Sequence, residues 1–252
     1  KKKSKKKKNG VIETTEINEA TEILFEDDSI RISYSAQPSS KKPSQYLDIR
    51  FLTENIGSNI IKSIKLSLSK SSSFKPKDKD ETKYTLGKKL APNSSNSSVI
   101  KMKCVKFTGD NDIIKCKVSY GDNKSGSLSI KLMTYCFITN ESIEDEVNDE
   151  ESFMKFAEDK EKCGYRASEK IKLGDNRSIA DSLDTLVKIW RVNNITSTKS
   201  KATYFAKLMK DKYLAIYIRT NTKKNAIEMT INGTEQEYVD SMLEQFKSIV
   251  LN

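Results

Sequence analysis

Residues 178–190 read SIADSLDTLVKIW, and the runs that follow read ATYFAKLM (202–209), YLAIYIR (213–219) and AIEMTI (226–231). Ser178 followed three positions later by Asp181 is a helix-start signature. Ile179, Leu183, Leu186, Val187 and Trp190 then recur at spacings that predict one apolar helical face. The three runs alternate as strands do, with the polar piece 220–225 as the turn between the last two. Asn232-Gly233 closes the third strand. Thr234 with Glu237 predicts a second capping box, ahead of an apolar stripe at Val239, Met242, Leu243, Phe246, Ile249 and Val250. Helix, antiparallel strands and helix in this order describe a small layer of helices on a sheet, a plan that contains no catalytic residue type.

Working back from this unit, Phe153, Met154 and Phe156 predict a short helix and 165–173 a strand. Glu141–Glu151 carries seven carboxylates in eleven residues and is read as a solvated connecting loop. Upstream, between 29 and 139, the period is two. Ile30, Ile32 and Tyr34 alternate, as do 46–51 and Ile60, Ile64, Leu66 and Leu68, and then 99–107, 113–120 and 128–138. Short strands divided by turn-rich pieces predict an antiparallel β-sandwich of immunoglobulin-like character. Residues 69–80 and 91–98, rich in Ser, Asn and Lys, are expected to be surface loops. Gly121 and Gly126 lack the spacing of a phosphate-binding loop and predict a hairpin. The predicted organisation is a lysine-rich disordered linker over 1–20, a β-sandwich over 21–140, an acidic loop over 141–151, and an α/β platform with antiparallel sheet and C-terminal helix over 152–252.

The chain has 252 residues, 45 Lys and Arg against 35 Asp and Glu, and a net charge of +10. Seven of its first eight residues are Lys, so the remainder balances 38 basic residues against 35 acidic ones, or +3. The basic character therefore belongs to the leading tract, and a polyanion-binding surface on the folded part is not implied. The start at Lys1, without Met, is read as that of a fragment of something larger. His is absent, which removes the usual general base and the commonest metal ligand. The cysteines at 104, 116, 136 and 163 form no C-x-x-C pair and are read as buried free thiols in a reducing compartment. No G-x-S-x-G, P-loop or Cys-His arrangement is present, so no catalytic, cofactor-binding or metal-binding residue is assigned and enzymatic activity is not expected.

Two groups of residues are candidates for contact. Lys1, Lys2, Lys3, Lys5, Lys6, Lys7 and Lys8 form an electrostatic tether to anionic lipid or acidic protein, or else a solvated spacer. Phe153 and Phe156, three apart on one helical side, either cover the sheet or form half of a partly exposed peptide groove. Trp190 is read as a core side chain.

The C-terminal stretch 213–219, the turn, AIEMTING (226–233) and EYVDSMLEQF (237–246) resembles the end of the delta subunit of adaptor protein complex 3. The order of lysine-rich linker, sandwich and platform is similarly that of a clathrin-adaptor appendage. The resemblance covers most of the chain in layout and is residue-specific over 213–252. It implies a non-enzymatic interaction module in vesicle-mediated transport of cargo from Golgi or endosomal membranes toward lysosomes or vacuoles. The module would be cytoplasmic and peripheral on those membranes. Its implied partners are the other adaptor-complex subunits, through the part preceding this chain, accessory or tethering proteins, and the anionic membrane. In such appendages the motif pocket uses a helix Trp and basic strand residues. Here the helix offers Phe153 and Phe156, and the matching strand positions are Tyr217 and Asn232. The alternative reading is a nucleic-acid-associated protein anchored by the lysine tract; it lacks the interleaved aromatic and basic residues of such binders.

Overall fold

The alternation at Ile30, Ile32 and Tyr34 and at Leu47, Ile49 and Phe51 turns one side of two long strands inward, and every one of these residues is buried. The computed structural model describes residues 21–77, 82–106, 113–121, 124–139, 147–174 and 178–251. Those two strands are β2 (Ile30–Pro38) and β3 (Tyr46–Asn55). They form a five-stranded antiparallel sheet with β1 (Glu22–Glu26), β7 (Ser95–Cys104) and β5 (Phe74–Pro76), in the order β1-β2-β3-β7-β5. Packed against it is a four-stranded antiparallel sheet, β6-β4-β8-β9, made of β6 (Lys83–Leu90), β4 (Ile61–Leu68), β8 (Ile113–Tyr120) and β9 (Lys124–Lys131). This is the expected immunoglobulin-like sandwich. Gly121, at φ +56°, makes the turn between β8 and β9, a left-handed conformation that favours glycine.

The second lobe is a six-stranded antiparallel sheet. Its path is β10 (Ile138–Thr139), β13 (Lys201–Leu208), β14 (Lys212–Asn221), β15 (Ala226–Gly233) and β11 (Tyr165–Lys172), with β12 (Asn193–Ser197) also paired to β13. Helices α2 (Ile179–Trp190) and α3 (Gln236–Leu251) cover the face that carries Leu214, Ile216, Ile218, Met229 and Ile231, all fully buried. Between the helices, the Trp190 and Phe246 rings meet edge to face at 6.0 Å. Helix α1 (Glu150–Glu158) lies on the opposite face. This is the expected platform.

A 3-10 turn, Thr134–Phe137, joins the lobes. The Phe137 ring stacks on Phe74 of the sandwich at 5.9 Å, and its carbonyl accepts from the Met209 amide of the platform at 2.9 Å. Thr134 and Ser241 share a hydroxyl hydrogen bond at 2.6 Å, and Arg191 donates to the Gln37 side chain at 2.8 Å. One continuous buried cluster consequently runs from Leu24 in β1 to Val250 in α3.

Several local expectations are corrected. Strands β1, β5, β6 and β12 were not foreseen, and the strand expected over 128–138 is instead the end of β9, a 3-10 turn and the start of β10. Strand β5 lies inside the expected loop 69–80, where Phe74 is buried against Phe137, and β7 begins at Ser95, within the expected loop 91–98. Glu150 and Glu151, assigned to the acidic loop, form the first turn of α1, where carboxylates favour the helix dipole. On α2 the Ser178 cap is as expected, accepting from the Asp181 amide at 3.0 Å. Its inward row, however, includes the buried Ser182 while Val187 is 38% exposed. Thr234 directs its hydroxyl elsewhere than a box with Glu237: it accepts from the Tyr213 amide at 2.8 Å and donates to the Lys162 carbonyl at 3.0 Å. None of the four cysteines forms a disulfide and all are buried, as expected, and burial pushes the Cys116 thiol pKa up to about 11 and those of Cys136 and Cys163 up to about 12. The seven tract lysines and residues 141–146 of the acidic stretch lie outside the described residues.

Gly233 sits where β15 meets α3. A Cβ there would lie 2.8 Å from both Leu214 Cδ2 and Val239 Cγ2 and 3.1 Å from the Tyr213 carbonyl. Gly233→Ala is therefore expected to cost about 1–3 kcal/mol, the usual range for overpacking, as measured by urea denaturation.

Candidate partner-binding face

Alternation in the platform strands divides their side chains between two faces. The even-numbered residues of β11 and β15 and the odd-numbered residues of β13 and β14 point away from α2 and α3. Cross-strand register sets them in rows. Ser168, Thr230, Tyr217, Thr203 and Thr196 form one row, Arg166, Asn232, Ala215 and Phe205 the next, and Lys170, Glu228, Arg219 and Lys201 a third.

Helix α1 covers the apolar part of this face. Asp149 and Ser152 cap it reciprocally, Asp149 Oδ1 accepting from the Ser152 amide at 2.8 Å. The Ser152 hydroxyl is the main reason that the Asp149 carboxyl lies below the usual carboxylate range. Phe153 is 1% exposed and Phe156 6%, both buried with Val147, Ala157, Cys163, Phe205 and Ala215. The Phe156 ring meets those of Phe205 and Tyr213 edge to face at 4.9 and 5.4 Å. Lys162 holds its ammonium 4.8 Å from the centre of the same ring. Lys201 pairs with Glu150 at the start of the helix, and Asn232 Nδ2 donates to the Ala157 carbonyl at 3.0 Å near its end. Asn232 Oδ1 is enclosed without a hydrogen bond.

This geometry corrects the groove reading of the two phenylalanines. Phe205 and Ala215 present an apolar patch on the sheet that must be covered, and α1 turns both rings inward to cover it. Phe153 is out of a partner's reach. Phe156 shows an edge to a shallow depression of about 300 Å³ that it shares with Ser152, Lys155, Asp159 and Lys162.

The polar part of the face lies open beside α1. Arg166, Ser168, Tyr217, Arg219, Glu228 and Thr230 line a depression of about 110 Å³. Tyr217 is half-buried; the Arg219 guanidinium lies 5.3 Å from the centre of its ring and Nε donates to its hydroxyl at 3.2 Å. Ser168 and Thr230 share a hydroxyl hydrogen bond at 2.8 Å. Of the sequence candidates, the structure thus places Tyr217 in the open depression, Asn232 beneath the end of α1, and Phe153 in the core. Arg166, Ser168, Arg219, Glu228 and Thr230 were not singled out. Their signal was the polar residue at every second position of strands whose other positions are mostly apolar.

The arrangement offers cationic, hydroxyl and aromatic groups suited to holding an acidic or aromatic peptide. Among the described residues no group of three or more His, Cys, Asp or Glu could hold a metal ion. No protein-family model matches the chain, and no curated protein matches it. Among solved structures it is similar to the crystal structure of yeast GGA1_GAE domain-P21. There the identity is 22% and the TM-score 0.37, over 45% of this chain and 99% of the solved one. It is also similar to the GAE domain of GGA2p from Saccharomyces cerevisiae, at 17% identity and TM-score 0.34, over 45% of this chain and 97% of the other.

Proposed function

We propose that the chain is a non-enzymatic protein-interaction module, the appendage of a clathrin-adaptor-type large subunit, most like the delta subunit of adaptor protein complex 3. The observation that carries this reading is a sandwich and a platform built on one core, with an open face of Arg, Tyr and hydroxyl groups beside α1. A preformed shallow face of this composition suits weak peptide contacts that act through avidity, as on a module tethered near a membrane. In this reading the chain works in the cytoplasm, peripherally on Golgi or endosomal membranes, in cargo transport toward lysosomes or vacuoles. The other adaptor subunits join it through the preceding part of the polypeptide, and accessory or tethering proteins dock on the appendage. Lys1, Lys2, Lys3 and Lys5 to Lys8 supply attraction to the anionic membrane. No described helix is long and apolar enough to cross a membrane.

The test is to tag the full-length protein in its own cells and identify what co-purifies. A second large adaptin with a medium and a small chain supports the reading. Ribosomal or chromatin proteins that are lost after nuclease treatment would instead favour a nucleic-acid role for the lysine tract. Within the same experiment, joint replacement of Tyr217 and Arg219 by Ala is expected to lower recovery of accessory proteins by on the order of tenfold or more, as loss of an interface hot spot does. Because Arg219 is exposed and Tyr217 half-exposed, the variant should lose about 1 kcal/mol or less in stability.

A further inference from the structure

A strand at a sheet edge presents unpaired amide and carbonyl groups that another chain can use, and folded proteins usually blunt such edges. Most edges here are blunted. The pairings of β1, β6 and β12 each contain a register shift, and β5 is three residues long and ends in Pro76. Strand β9 is regular, but β1 abuts it: Gly126 lies against the Phe25 ring, and the Tyr34 hydroxyl donates to the Lys131 carbonyl at 2.8 Å and accepts from its amide at 3.1 Å. Strand β11 differs. Its eight residues pair with β15 without a shift, it contains neither Pro nor Gly, and it ends the sheet, with no described strand paired along its outer side.

The side chains of β11 say what would be accepted there. Toward the open face it presents Arg166, Ser168, Lys170 and Lys172, all exposed. Beyond it in the sheet, the row Lys170, Glu228, Arg219 holds two cations to one carboxylate. The strand's own acidic residue, Glu169, points to the other face and pairs with Lys247 of α3 at 2.7 Å. A second copy of this chain would set Lys and Arg against Lys and Arg, which destabilises a cross-strand pair.

We propose that the outer edge of β11 takes an acidic, extended segment of a partner protein as an added antiparallel strand. This deepens the reading of the chain as an interaction module and rests on it. Backbone hydrogen bonds to β11 would hold the segment, and its alternate side chains would lie about 4.5–5.5 Å from their opposite numbers. Carboxylates then face Lys172, Lys170 and Arg166, and a small or hydroxyl residue faces Ser168. Read from its N-terminus, the segment has the pattern Glu-x-Glu-x-Ser-x-Glu.

The probe is a labelled peptide, Glu-Val-Glu-Val-Ser-Val-Glu with Gly-Ala flanks, titrated against the whole chain by fluorescence anisotropy and followed by amide hydrogen exchange. Saturable binding is expected, with new protection at residues 165–172. Reversal of Arg166 and Lys170 to Glu should weaken binding on the order of tenfold or more, and thermal unfolding should fall only slightly: both side chains are exposed, and the new carboxylate at position 170 would stand opposite Glu228. Two further peptides, N-methylated at one or the other set of alternate residues, give the decisive comparison. The set whose amides face β11 should abolish binding, and the other should leave it intact. No binding, equal tolerance of both methylated peptides, or protection away from β11 would overturn the proposal. If the unaltered protein co-purifies its adaptor subunits while the peptide fails to bind, the edge site falls and the module reading stands. Loss of adaptor subunits from the unaltered protein would bring down the latter.

Discussion

Phe137→Ala is expected to lower the unfolding free energy of the whole chain by about 3–5 kcal/mol, the usual cost of truncating a buried Phe, and to do so in one transition. Phe137 is fully buried in the turn that joins the lobes. Its ring packs on Phe74 of the sandwich, and its carbonyl accepts from Met209 of the platform. Truncation leaves a void at the middle of a core shared by both lobes, and neither can collapse into it without dragging the other. Urea titration followed by two signals provides the check. Trp190, the single tryptophan, reports on the platform, whereas far-ultraviolet circular dichroism reports on the strands of both lobes. Coincident curves, both displaced, are the expected outcome. A dichroism curve that moves while the Trp190 signal stays in place would show the lobes to be independent units.

Phe153→Ala should cost about 3–5 kcal/mol by the same rule, but its effect should be concentrated under α1. Phe153 belongs to a small cluster with Val147, Phe156, Ala157, Cys163, Phe205 and Ala215, separate from the main core. Without it α1 keeps its Asp149–Ser152 cap and the Glu150–Lys201 pair, neither of which suffices to hold a nine-residue helix on a sheet. Amide exchange over 149–158 is expected to accelerate far more than exchange in α3. Partner recovery should fall only insofar as α1 frames the open face. If exchange stays slow and stability is kept while partner binding disappears, Phe153 is a contact residue after all, and the burial argument is wrong.

The platform was the most legible part of the molecule because its pattern is strict. Residues 202–209, 213–219 and 226–231 alternate, and the ends of the strands found there lie within two residues of each run's bounds. Strands β5 and β6 were hidden for physical reasons. Phe74 is the single large apolar side chain in a Ser- and Lys-rich stretch, so its period could not be read. The register shift in β6 breaks alternation, leaving Lys88 exposed between the buried Leu86 and Leu90. In the candidate site, the helix carrying Phe153 and Phe156 was visible, but which way it faced was not. That depended on Phe205 and Ala215, about fifty residues away in sequence, which leave an apolar patch on the outer face of the sheet. The open polar depression required the cross-strand register of three strands, information that no single run contains.

The turn at Thr134–Phe137 also bears on how the molecule can be taken apart and how it can change over descent. A cut near residue 140 would leave each half with a raw apolar surface, Phe74 and Phe137 on one piece and Met209 and Met242 on the other. Fragment mapping, the customary way to assign a binding activity to one end of a chain, would therefore report aggregation instead of affinity. For the same reason the two lobes are poor candidates for exchange by recombination. They would be inherited as a pair, and a substitution on one side of the joint would be tolerated when the other side changes to match it.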